Sequence, residues 1–425
     1  MQLRTAMLAC ACLCLLAGPP ASANLEMGAE ASELRQAEVK RYAEIARASG
    51  IPVELRPAGH PTPRVVEAFP FFMELDLLEI RLAELRDVVD LHILIESKYT
   101  QTGLPKNLTF QDHKHEARFA PYVHKIVHVT IEEMPMREEG KDWAEWANEN
   151  YVRDEGLKRG LARIQADYLH AGDGAVGGPI TNDDLLLILD VDEIPRAAAV
   201  AFLKAYTKYP LFTILAMRWS FCGFFWLIQG ESWSHANVAV PLAAPLSDPT
   251  AWTATVVRYY GHALPDPKLG PDRWILGSPS NEPGRTLDLV MAGEAMWSGW
   301  HCQLCVPTTH YRMKALAVVE FFYFWQQFAS LQVELGMDGA VDSNTPNGRG
   351  GGDNGVDGAD LDENAIAALT RANGLHPKWV ASQKSLAEMR RRRVMTHSAE
   401  EGGTYAPQHA LDGSRPPHLA YLVEI

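Results

Sequence analysis

The hydrophobic residues fall into short apolar runs that are separated by stretches with helical spacing. The runs VVEAFPFF (65–72), DLHILIES (90–97) and LLLILD (185–190) are short and strongly apolar, which is typical of buried strands. Between the first two, ELDLLEIRLAEL (74–85) repeats leucine at helical spacing, and residues 142–168 carry a second apolar stripe of this kind. Strands that alternate with helices predict an α/β fold, in which a mostly parallel sheet is flanked by helices.

The pattern changes after Pro195. AAAVAFLKAY (197–206) predicts a short helix, whereas LFTILAMRW (211–219), ANVAVPLA (236–243) and TATVVRYY (253–260) have the composition of strands. Gly, Pro and Ser separate these runs. The second half of the molecule is therefore predicted to be richer in strands.

The N-terminus has the features of a secretory leader. An apolar run from Ala6 to Gly18 is followed by two prolines and the tripeptide Ala21-Ser22-Ala23, which matches a signal-peptide cleavage pattern. The run is short for a membrane span, although a short signal-anchor remains an alternative. The predicted parts of the chain are a leader (1–23), a helical stem (24–63), a globular domain (64–337), a mobile Gly- and Asp-rich insertion (338–360) and a C-terminal helical segment packing on the domain (361–425).

Charge and cysteine content narrow the function classes. The 425-residue chain has a formal net charge of -14, and its one basic run, Arg390–Arg393, fits a helix end better than a nucleic-acid surface. Outside the leader, Cys222, Cys302 and Cys305 remain, so one disulfide is possible and its pairing stays open. No nucleic-acid partner is expected.

The stretch LLLILDVDEIP (185–195) carries the strongest chemical signal. In open parallel sheets, ligands bind where strands deliver their carboxyl ends. In an extended chain Asp190 and Asp192 point the same way, and two such oxygen donors suit Mn²⁺ or Mg²⁺, which in turn binds phosphates. The alternative is that these carboxylates only cap the following helix.

Four sequence blocks resemble glycosyltransferase family 17 and occur in a consistent order. The resemblance implies a GT-A type fold and a nucleotide-sugar donor. It further implies inverting, metal-dependent transfer of GlcNAc from UDP-GlcNAc, in β-1,4 linkage, to a mannose of an N-glycan core, which is the bisecting type. The chain departs from the family at Gln303, where Ser is expected, and in an unusually apolar helix that keeps Lys314. The four blocks are FPFFMELDLLEIRLAELRDVVDLHILIESKYTQTG (69–103), LILDVDEIPR (187–196), GWHCQLC (299–305) and, more weakly, YAPQHALDGSRPPHLAYLV (405–423).

The resemblance also implies roles for individual residues. Asp190 and Asp192 would join ribose, metal and diphosphate, and His301 would complete the metal shell. A carboxylate must accept the proton of the acceptor hydroxyl, and Glu294 is the first candidate for this base, with Asp272 and Glu193 as alternatives. The residues predicted to bind the nucleotide-sugar are Glu74, Asp76, Arg81, Glu96, Arg153 and Asp190.

Structural interpretations compete with several of these roles. Arg153 could form a surface ion pair with Glu149, Arg81 could lie on a solvent-facing helix surface, and His301 could be a packed side chain. The second half also contains aromatic residues that could stack on sugar rings or belong to the core. These residues are Trp219, Phe221, Phe224, Phe225, Trp226 and Trp233.

Other classes of protein fit part of the pattern. An inactive secreted glycan-binding protein on a transferase fold would account for the atypical C-terminal half. A glycoside hydrolase would account for the paired carboxylates and for aromatic loops such as FCGFFW (221–226). A transferase with another donor sugar is a further alternative. With the leader, the resemblance predicts a protein of the Golgi lumen whose partners are a UDP-sugar and a glycoprotein N-glycan, with a possible short membrane anchor.

Overall fold

The computed structural model shows helices on both faces of a central sheet, with a second, smaller sheet at its edge. The residues that it describes are 21–101, 103–134, 144–168, 181–221, 223–224, 227–234, 237–262, 273–276, 297–303, 305–307, 310, 314, 406–411 and 416–423.

Within these residues the secondary structure alternates between strands and helices up to residue 205. The strands are β1 (Glu54–Leu55), β2 (Val65–Phe71), β3 (Leu91–Ser97), β4 (Ile126–Ile131), β5 (Leu185–Ile188), β6 (Glu193–Pro195), β7 (Tyr206–Thr207), β8 (Phe212–Leu215), β9 (Met217–Phe221), β10 (Leu227–Trp233), β11 (Val238–Pro241), β12 (Arg273–Leu276) and β13 (Gly299–Gln303). The helices are α1 (Ala21–Ala48), α2 (Leu75–Leu85), α3 (Thr109–His113), α4 (Ala144–Arg163), α5 (Ala197–Ala205), α6 (Ala243–Ser247), α7 (Ala254–His262) and α8 (Gln408–Leu411), with 3₁₀ turns at Val123–Lys125 and Pro417–Leu422 and a π-helical end to α4 at Ile164–Tyr168.

The central sheet has the strand order β12-β8-β11-β5-β2-β3-β4. Strands β5, β2, β3 and β4 are mutually parallel, β11 is antiparallel to both β5 and β8, and β12 is parallel to β8. The predicted α/β fold with a mostly parallel sheet is confirmed. β5 is therefore the strand at which the parallel part of the sheet meets an antiparallel neighbour.

Helix α4 packs unusually close to the sheet. A Cβ atom added at Gly156 would lie 2.3 Å from Cγ2 of Ile95, and one at Gly160 would lie 2.4 Å from Cγ2 of Ile93. Both distances are shorter than van der Waals contact, so these positions accept only glycine without a shift of neighbouring atoms. Two glycines one turn apart let α4 approach β3 closely and bring the next turn of the helix to the end of β5.

The smaller sheet has the order β10-β9-β13-β6, in which β13 is parallel to β9 and antiparallel to β6. One face packs against α2 and the C-terminal residues: Ile194, Trp300 and Cys302 lie in a buried cluster with Leu77 and Ala410. Of the predicted C-terminal segment (361–425), the described residues 406–411 and 416–423 pack here. The other face is turned toward the end of β5.

Two predictions about secondary structure need correction. TATVVRYY (253–260) lies in helix α7 rather than in a strand, because Ala254 and Val257 are spaced for one helical face and both are buried. A short run of β-branched residues does not distinguish the two. LFTILAMRW (211–219) forms two strands, β8 and β9, that separate at Ala216 and enter different sheets.

The predicted stem (24–63) is not separate from the globular part. Tyr42, Ala43 and Ala46 on helix α1 are fully buried, and the ring of Tyr42 lies 6.0 Å from that of Phe202 on α5. β1 then pairs with β7. Small apolar residues thus pack α1 on the globular part, and the boundary at Arg64 stays a prediction from the sequence.

Residues 1–20 and the predicted insertion (338–360) lie outside the described residues. Within the described part of the chain, none of the helices combines the length and the apolar character that crossing a membrane requires.

Candidate active site at the carboxyl end of β5

The stretch DVDE forms a tight turn between the two sheets. The backbone N–H of Glu193 donates to the carbonyl oxygen of Asp190 at 3.0 Å, and the N–H of Asp190 donates to Oε2 of Glu193 at 2.7 Å. The extended geometry expected from the sequence is therefore wrong, because the chain must turn from β5 into β6 of the smaller sheet. The turn still places its carboxylates at the carboxyl edge of the parallel strands, where ligands bind in open α/β sheets.

Asp190 is held by two arginines. Nη2 of Arg153 lies 2.8 Å from each carboxylate oxygen of Asp190, and Nη2 of Arg258 lies 2.9 Å from Oδ2. Burial would raise the pKa of Asp190, but the charges of Arg153 and Arg258 outweigh it and hold that pKa well below its usual range. Asp190 is therefore an anion at neutral pH.

Arg153 contacts two carboxylates, and its predicted contact with the diphosphate stays a prediction. It forms an ion pair with Glu149, four residues earlier on α4, and it also contacts Asp190. Arg153 is buried rather than on the surface. Helix α4 thus delivers a cation directly to the carboxylate turn.

Asp192 faces a different set of groups. Its Oδ1 lies 3.8 Å from Nε2 of His301, and its Oδ2 lies 3.3 Å from Nζ of Lys314. Lys314 also contacts Glu74 at 2.8 Å, and Glu74 accepts hydrogen bonds from the backbone N–H groups of Phe72 and Met73. Lys314 thereby links Glu74, one of the predicted site residues, to Asp192.

The pKa values in this part of the site shift for identifiable reasons. Burial raises the pKa of Asp192, and the charges of Lys314 and His301 offset part of this effect. Burial lowers the pKa of His301, although the nearby carboxylates, led by Asp192, oppose it. The imidazole is therefore neutral near pH 7, which is the form that can bind a metal ion.

Arg81 does not line a pocket. Its side chain is fully buried and forms a two-bond ion pair with Glu67, at 2.9 and 2.7 Å. Its Nη1 also donates to the backbone carbonyls of Asp190 at 2.9 Å and Glu193 at 2.8 Å. Arg81 supports the turn from inside the protein, so the solvent-facing alternative is wrong, and its predicted contact with the nucleotide-sugar stays a prediction.

Asp76 and Glu96 are engaged elsewhere. Glu96 is fully buried and accepts hydrogen bonds from the backbone N–H of Phe110 at 2.8 Å and from Nε2 of His128 at 3.0 Å. Asp76 forms an ion pair with Arg118 at 2.8 Å. Glu96 thus holds the start of α3, and Asp76 belongs to an ion-pair cluster on α2, while their predicted nucleotide contacts stay predictions.

Of the predicted general bases, Glu294 and Asp272 lie outside the described residues. Glu193 is fully buried, and its carboxylate accepts hydrogen bonds from Nε1 of Trp233 at 2.6 Å and from Nη1 of Arg258 at 3.1 Å. These bonds occupy the oxygens that a base would need. Glu193 is thus a structural anion of the site.

Three residues of the site were not recognised as such from the sequence: Arg258, Lys314 and, as a hydrogen-bond donor, Trp233. Arg258 was concealed because its segment was interpreted as a strand. Nothing in a strand assignment suggested that Arg258 faces β5. On helix α7 its side chain points at the DVDE turn. Lys314 was noted only as a feature retained by the family.

The residues present allow a test of the predicted metal site. Among the residues that the structure describes, no group of three or more His, Cys, Asp or Glu side chains is arranged to hold a metal ion. Asp192 and His301 are nevertheless adjacent, and carboxylate oxygen with imidazole nitrogen is a donor pair that Mn²⁺ accepts. The donor chemistry at these two residues fits a divalent cation, whereas Asp190 is already paired with arginines.

The net charge of the side chains around the DVDE turn also fits a divalent cation. Its carboxylates outnumber its cationic groups by two, which equals the charge of one divalent cation. The carboxylates are Asp190, Asp192, Glu193, Glu74 and Glu149, and the cationic residues are Arg153, Arg258 and Lys314.

A disulfide lies directly beside the turn. Cys302 and Cys305 are bonded to each other, and the backbone N–H of Cys302 donates to the carbonyl oxygen of Asp192 at 2.9 Å. This is one of the pairings left open by the sequence, and Cys222 lies outside the described residues. The bonded pair closes the end of β13, the strand that carries His301.

Comparisons with known proteins agree with the resemblance. Residues 54–241 match the model of glycosyltransferase family 17. The chain is 27% identical over 267 residues to the human β-1,4-mannosyl-glycoprotein 4-β-N-acetylglucosaminyltransferase, covering 60% of this chain and 44% of the human protein. The mouse protein of the same name is 28% identical over 272 residues, with coverage of 60% and 43%. The match thus spans under half the length of these relatives.

A solved structure, the mannosyltransferase PcManGT from Pyrobaculum calidifontis in complex with GDP-Man and Mn²⁺, is similar at 15% identity and a TM-score of 0.28, covering 91% of this chain and 93% of that one. A similarity of this size has no bearing on function. The family match and the named relatives are the informative findings, and they show that residues 54–241 are similar to glycosyltransferase family 17.

Proposed function

We propose that this protein is a glycosyltransferase that transfers a sugar from a nucleotide-sugar to a glycan hydroxyl at the carboxyl end of β5. The observation that carries the proposal is the DVDE turn, where Asp192 lies beside His301 and a buried lysine. A nucleoside diphosphate leaving group brings several negative charges, which need cations placed in advance. The site supplies Arg153, Arg258 and Lys314 within contact of its carboxylates.

The donor and acceptor in the proposal are UDP-GlcNAc and a mannose of an N-glycan core. Their support is the human and mouse relatives, which are β-1,4-mannosyl-glycoprotein 4-β-N-acetylglucosaminyltransferases. The proposed reaction inverts the anomeric centre. These relatives are 27% and 28% identical to the chain, and the match covers under half of each. The donor and the linkage are therefore the first properties to test.

A divalent cation, Mn²⁺ or Mg²⁺, belongs to the proposal. Asp192 and His301 would hold it, with Asp190 at the adjacent corner of the turn, and the ion would neutralise the charge of the departing diphosphate. The chain's own residues keep these donors in place. Arg153 and Arg258 fix the Asp190 carboxylate, and Lys314 holds Asp192 against Glu74.

Proton transfer from the acceptor requires a base that the described residues do not supply convincingly. Glu193 is fully engaged by Arg258 and Trp233. Glu294, which was predicted from the sequence, therefore remains the proposed base.

The proposed location is the lumen of the secretory pathway, in the Golgi. The leader pattern in residues 1–23 supports it, and so does the disulfide between Cys302 and Cys305, since such bonds persist in oxidising compartments. Cleaved secretion and a short membrane anchor are separated by N-terminal sequencing of the mature protein.

A donor panel tests the reaction. The purified protein is incubated with UDP-GlcNAc, UDP-Gal, UDP-Glc or GDP-Man and an N-glycan acceptor, and products are read by mass and by linkage analysis. The proposal expects a product one N-acetylhexosamine heavier than the acceptor, in β-1,4 linkage to mannose. Turnover with another donor alone would contradict the donor assignment, and glycan binding without turnover would favour an inactive binding protein.

A further inference from the structure

The face of the smaller sheet that adjoins the DVDE turn carries a row of aromatic side chains. We propose that Trp219 and Trp233 form a sugar-binding wall, on which a pyranose ring stacks beside Asp192. The inference rests on the proposed function and deepens it, because it assigns residues to the carbohydrate rather than to the nucleotide.

Strand register places these side chains on one face. His301 on β13 pairs with Glu193 on β6 and with Trp219 on β9, and directly paired residues in a sheet project to the same side. Trp233 on β10 pairs with Met217, two residues from Trp219, so it projects to this side as well. The alternate residues project to the opposite face, which is closed by the buried cluster against α2.

The rings lie close together beside the carboxylates. The centroids of Trp233 and His301 are 4.4 Å apart, those of Trp219 and Trp233 are 5.2 Å apart, and Trp219 lies parallel to His301 at 6.1 Å. Since Nε2 of His301 is 3.8 Å from Asp192, the wall begins at the residue pair that would hold the metal.

Hydrogen bonds fix the orientation of both indoles. Trp233 donates its Nε1–H to Glu193 at 2.6 Å, and Trp219 donates its Nε1–H to Oε1 of Gln303 at 3.2 Å. Both tryptophans remain partly exposed, whereas His301 is buried. Trp233 also packs against the core cluster that contains Met217, but both tryptophans are oriented by hydrogen bonds at their polar edges and remain partly open to solvent.

The chemistry of such a surface suits a sugar. A pyranose presents C–H groups on its ring face, and a fixed aromatic ring can stack on them while its polar neighbours bond the hydroxyls. Gln303 is a partly exposed amide on the same face, and the family pattern expects serine there. The stacked ring can come from the donor sugar or from the acceptor glycan, and the test separates these sources.

The competing explanation is that the two tryptophans only hold His301 in position. In that case their replacement would change the turnover number through the metal site and leave sugar affinity unchanged. A binding wall predicts the opposite pattern, with a change in KM or Kd for one sugar substrate.

The test uses Trp219→Leu, which keeps apolar volume but removes the aromatic ring, and Trp219→Phe, which retains a ring. Trp252→Leu is the matched control, since Trp252 is also partly exposed and stacks on Phe212 at 5.7 Å, away from the turn. Steady-state kinetics vary the UDP-sugar and the N-glycan acceptor separately. Isothermal titration calorimetry with the acceptor glycan and with UDP-GlcNAc gives binding constants that depend neither on turnover nor on the replaced tryptophan.

We expect Trp219→Leu to raise the KM and Kd for one of the two substrates by on the order of tenfold, with Trp219→Phe recovering most of the loss and Trp252→Leu unchanged. A rise for the donor places the donor sugar on the wall, and a rise for the acceptor places the glycan there. If Trp219→Leu does not fold by circular dichroism, Trp219→Phe carries the test with an expected change of about threefold.

Unchanged KM and Kd for both substrates, or a fall in kcat alone, would overturn the inference. Absence of turnover in the parent protein with every donor would refute the proposed function. Glycan binding in the calorimeter that is weakened in Trp219→Leu would still support the wall in that case, and glycan binding that is equal in both would contradict it.

Discussion

The guanidinium of Arg81 donates a hydrogen bond to the backbone carbonyl of Asp190 at 2.9 Å, across 109 residues of chain. The same side chain forms the buried ion pair with Glu67, so α2, β2 and the carboxylate turn meet at one fully buried cation. The position of the turn therefore depends on an interaction inside the core rather than on the strand alone.

Replacement of Arg81 is expected to destabilise the protein strongly. Arg81→Met leaves the buried Glu67 carboxylate with His92 but without its arginine, and it removes the donors to the turn, which costs about 3–5 kcal/mol of unfolding free energy. Arg86→Met, at an exposed arginine on the next turn, is the control and should stay within about 0.5 kcal/mol. Denaturant titration measures both. Equal stability of the two variants would contradict the role assigned to Arg81.

The ion pair also predicts an acid dependence of stability. Burial alone would raise the pKa of Glu67, but Arg81 and His92 outweigh it and lower the pKa from 4.5 to about 2. A depressed folded-state pKa gives a stabilising contribution that is complete above pH 4.5 and is lost as the pH falls toward 2. The free energy of unfolding of the parent should therefore fall more steeply between these pH values than that of Glu67→Gln. Parallel curves for the two proteins would argue against the shift.

Because α4 packs so close to β3, replacing one of its glycines with alanine should lower the stability of the protein instead of raising it. In a helix interior Gly→Ala is normally stabilising by up to about 1 kcal/mol. Gly156→Ala should instead destabilise the protein by about 1–3 kcal/mol, because its Cβ would overlap the side chain of Ile95. Adding Ile95→Ala should remove the clash, so that Gly156→Ala no longer destabilises in that background. Stabilisation by Gly156→Ala alone would mean that α4 lies farther from β3.

The disulfide beside the site predicts which cysteines are bonded to each other in the purified protein. Peptide mapping by mass spectrometry under non-reducing conditions should recover Cys302 and Cys305 in one internally bonded peptide. Cys302→Ser removes the disulfide but keeps the backbone N–H that donates to Asp192, so the variant is expected to lose thermal stability. A bond from either residue to Cys222 would refute this pairing.

The sequence contained enough information to predict the parallel part of the sheet and the location of the site. β2, β3 and β5 are buried on both faces, so they read as continuous apolar runs, and the carboxylates after β5 had to emerge at the sheet edge. Pairing of Asp192 with His301 followed from the family resemblance. The geometry of the turn did not, because it depends on β6 joining a second sheet.

Other features of the structure could not be predicted from the sequence, for physical reasons. Helix α7 carries a β-branched run that looks like a strand, which concealed Arg258. Arg81 and Glu96 are charged residues whose burial depends on partners distant in sequence, and composition gives no sign of such partners. Helix α1 packs on the domain through alanines and one tyrosine. In the sequence this apolar stripe is too weak to distinguish a packed helix from a charged, exposed stem.

The measurement that bears most directly on the central claim is UDP-GlcNAc turnover with Mn²⁺ present or removed by EDTA, in the parent, Asp192→Asn and the surface control Asp87→Asn. We expect turnover to require the ion. In Asp192→Asn it should fall at least about a hundredfold without loss of the folded state, and in Asp87→Asn it should be unchanged. Undiminished, EDTA-resistant turnover in Asp192→Asn would contradict the assignment of the DVDE turn as the active site.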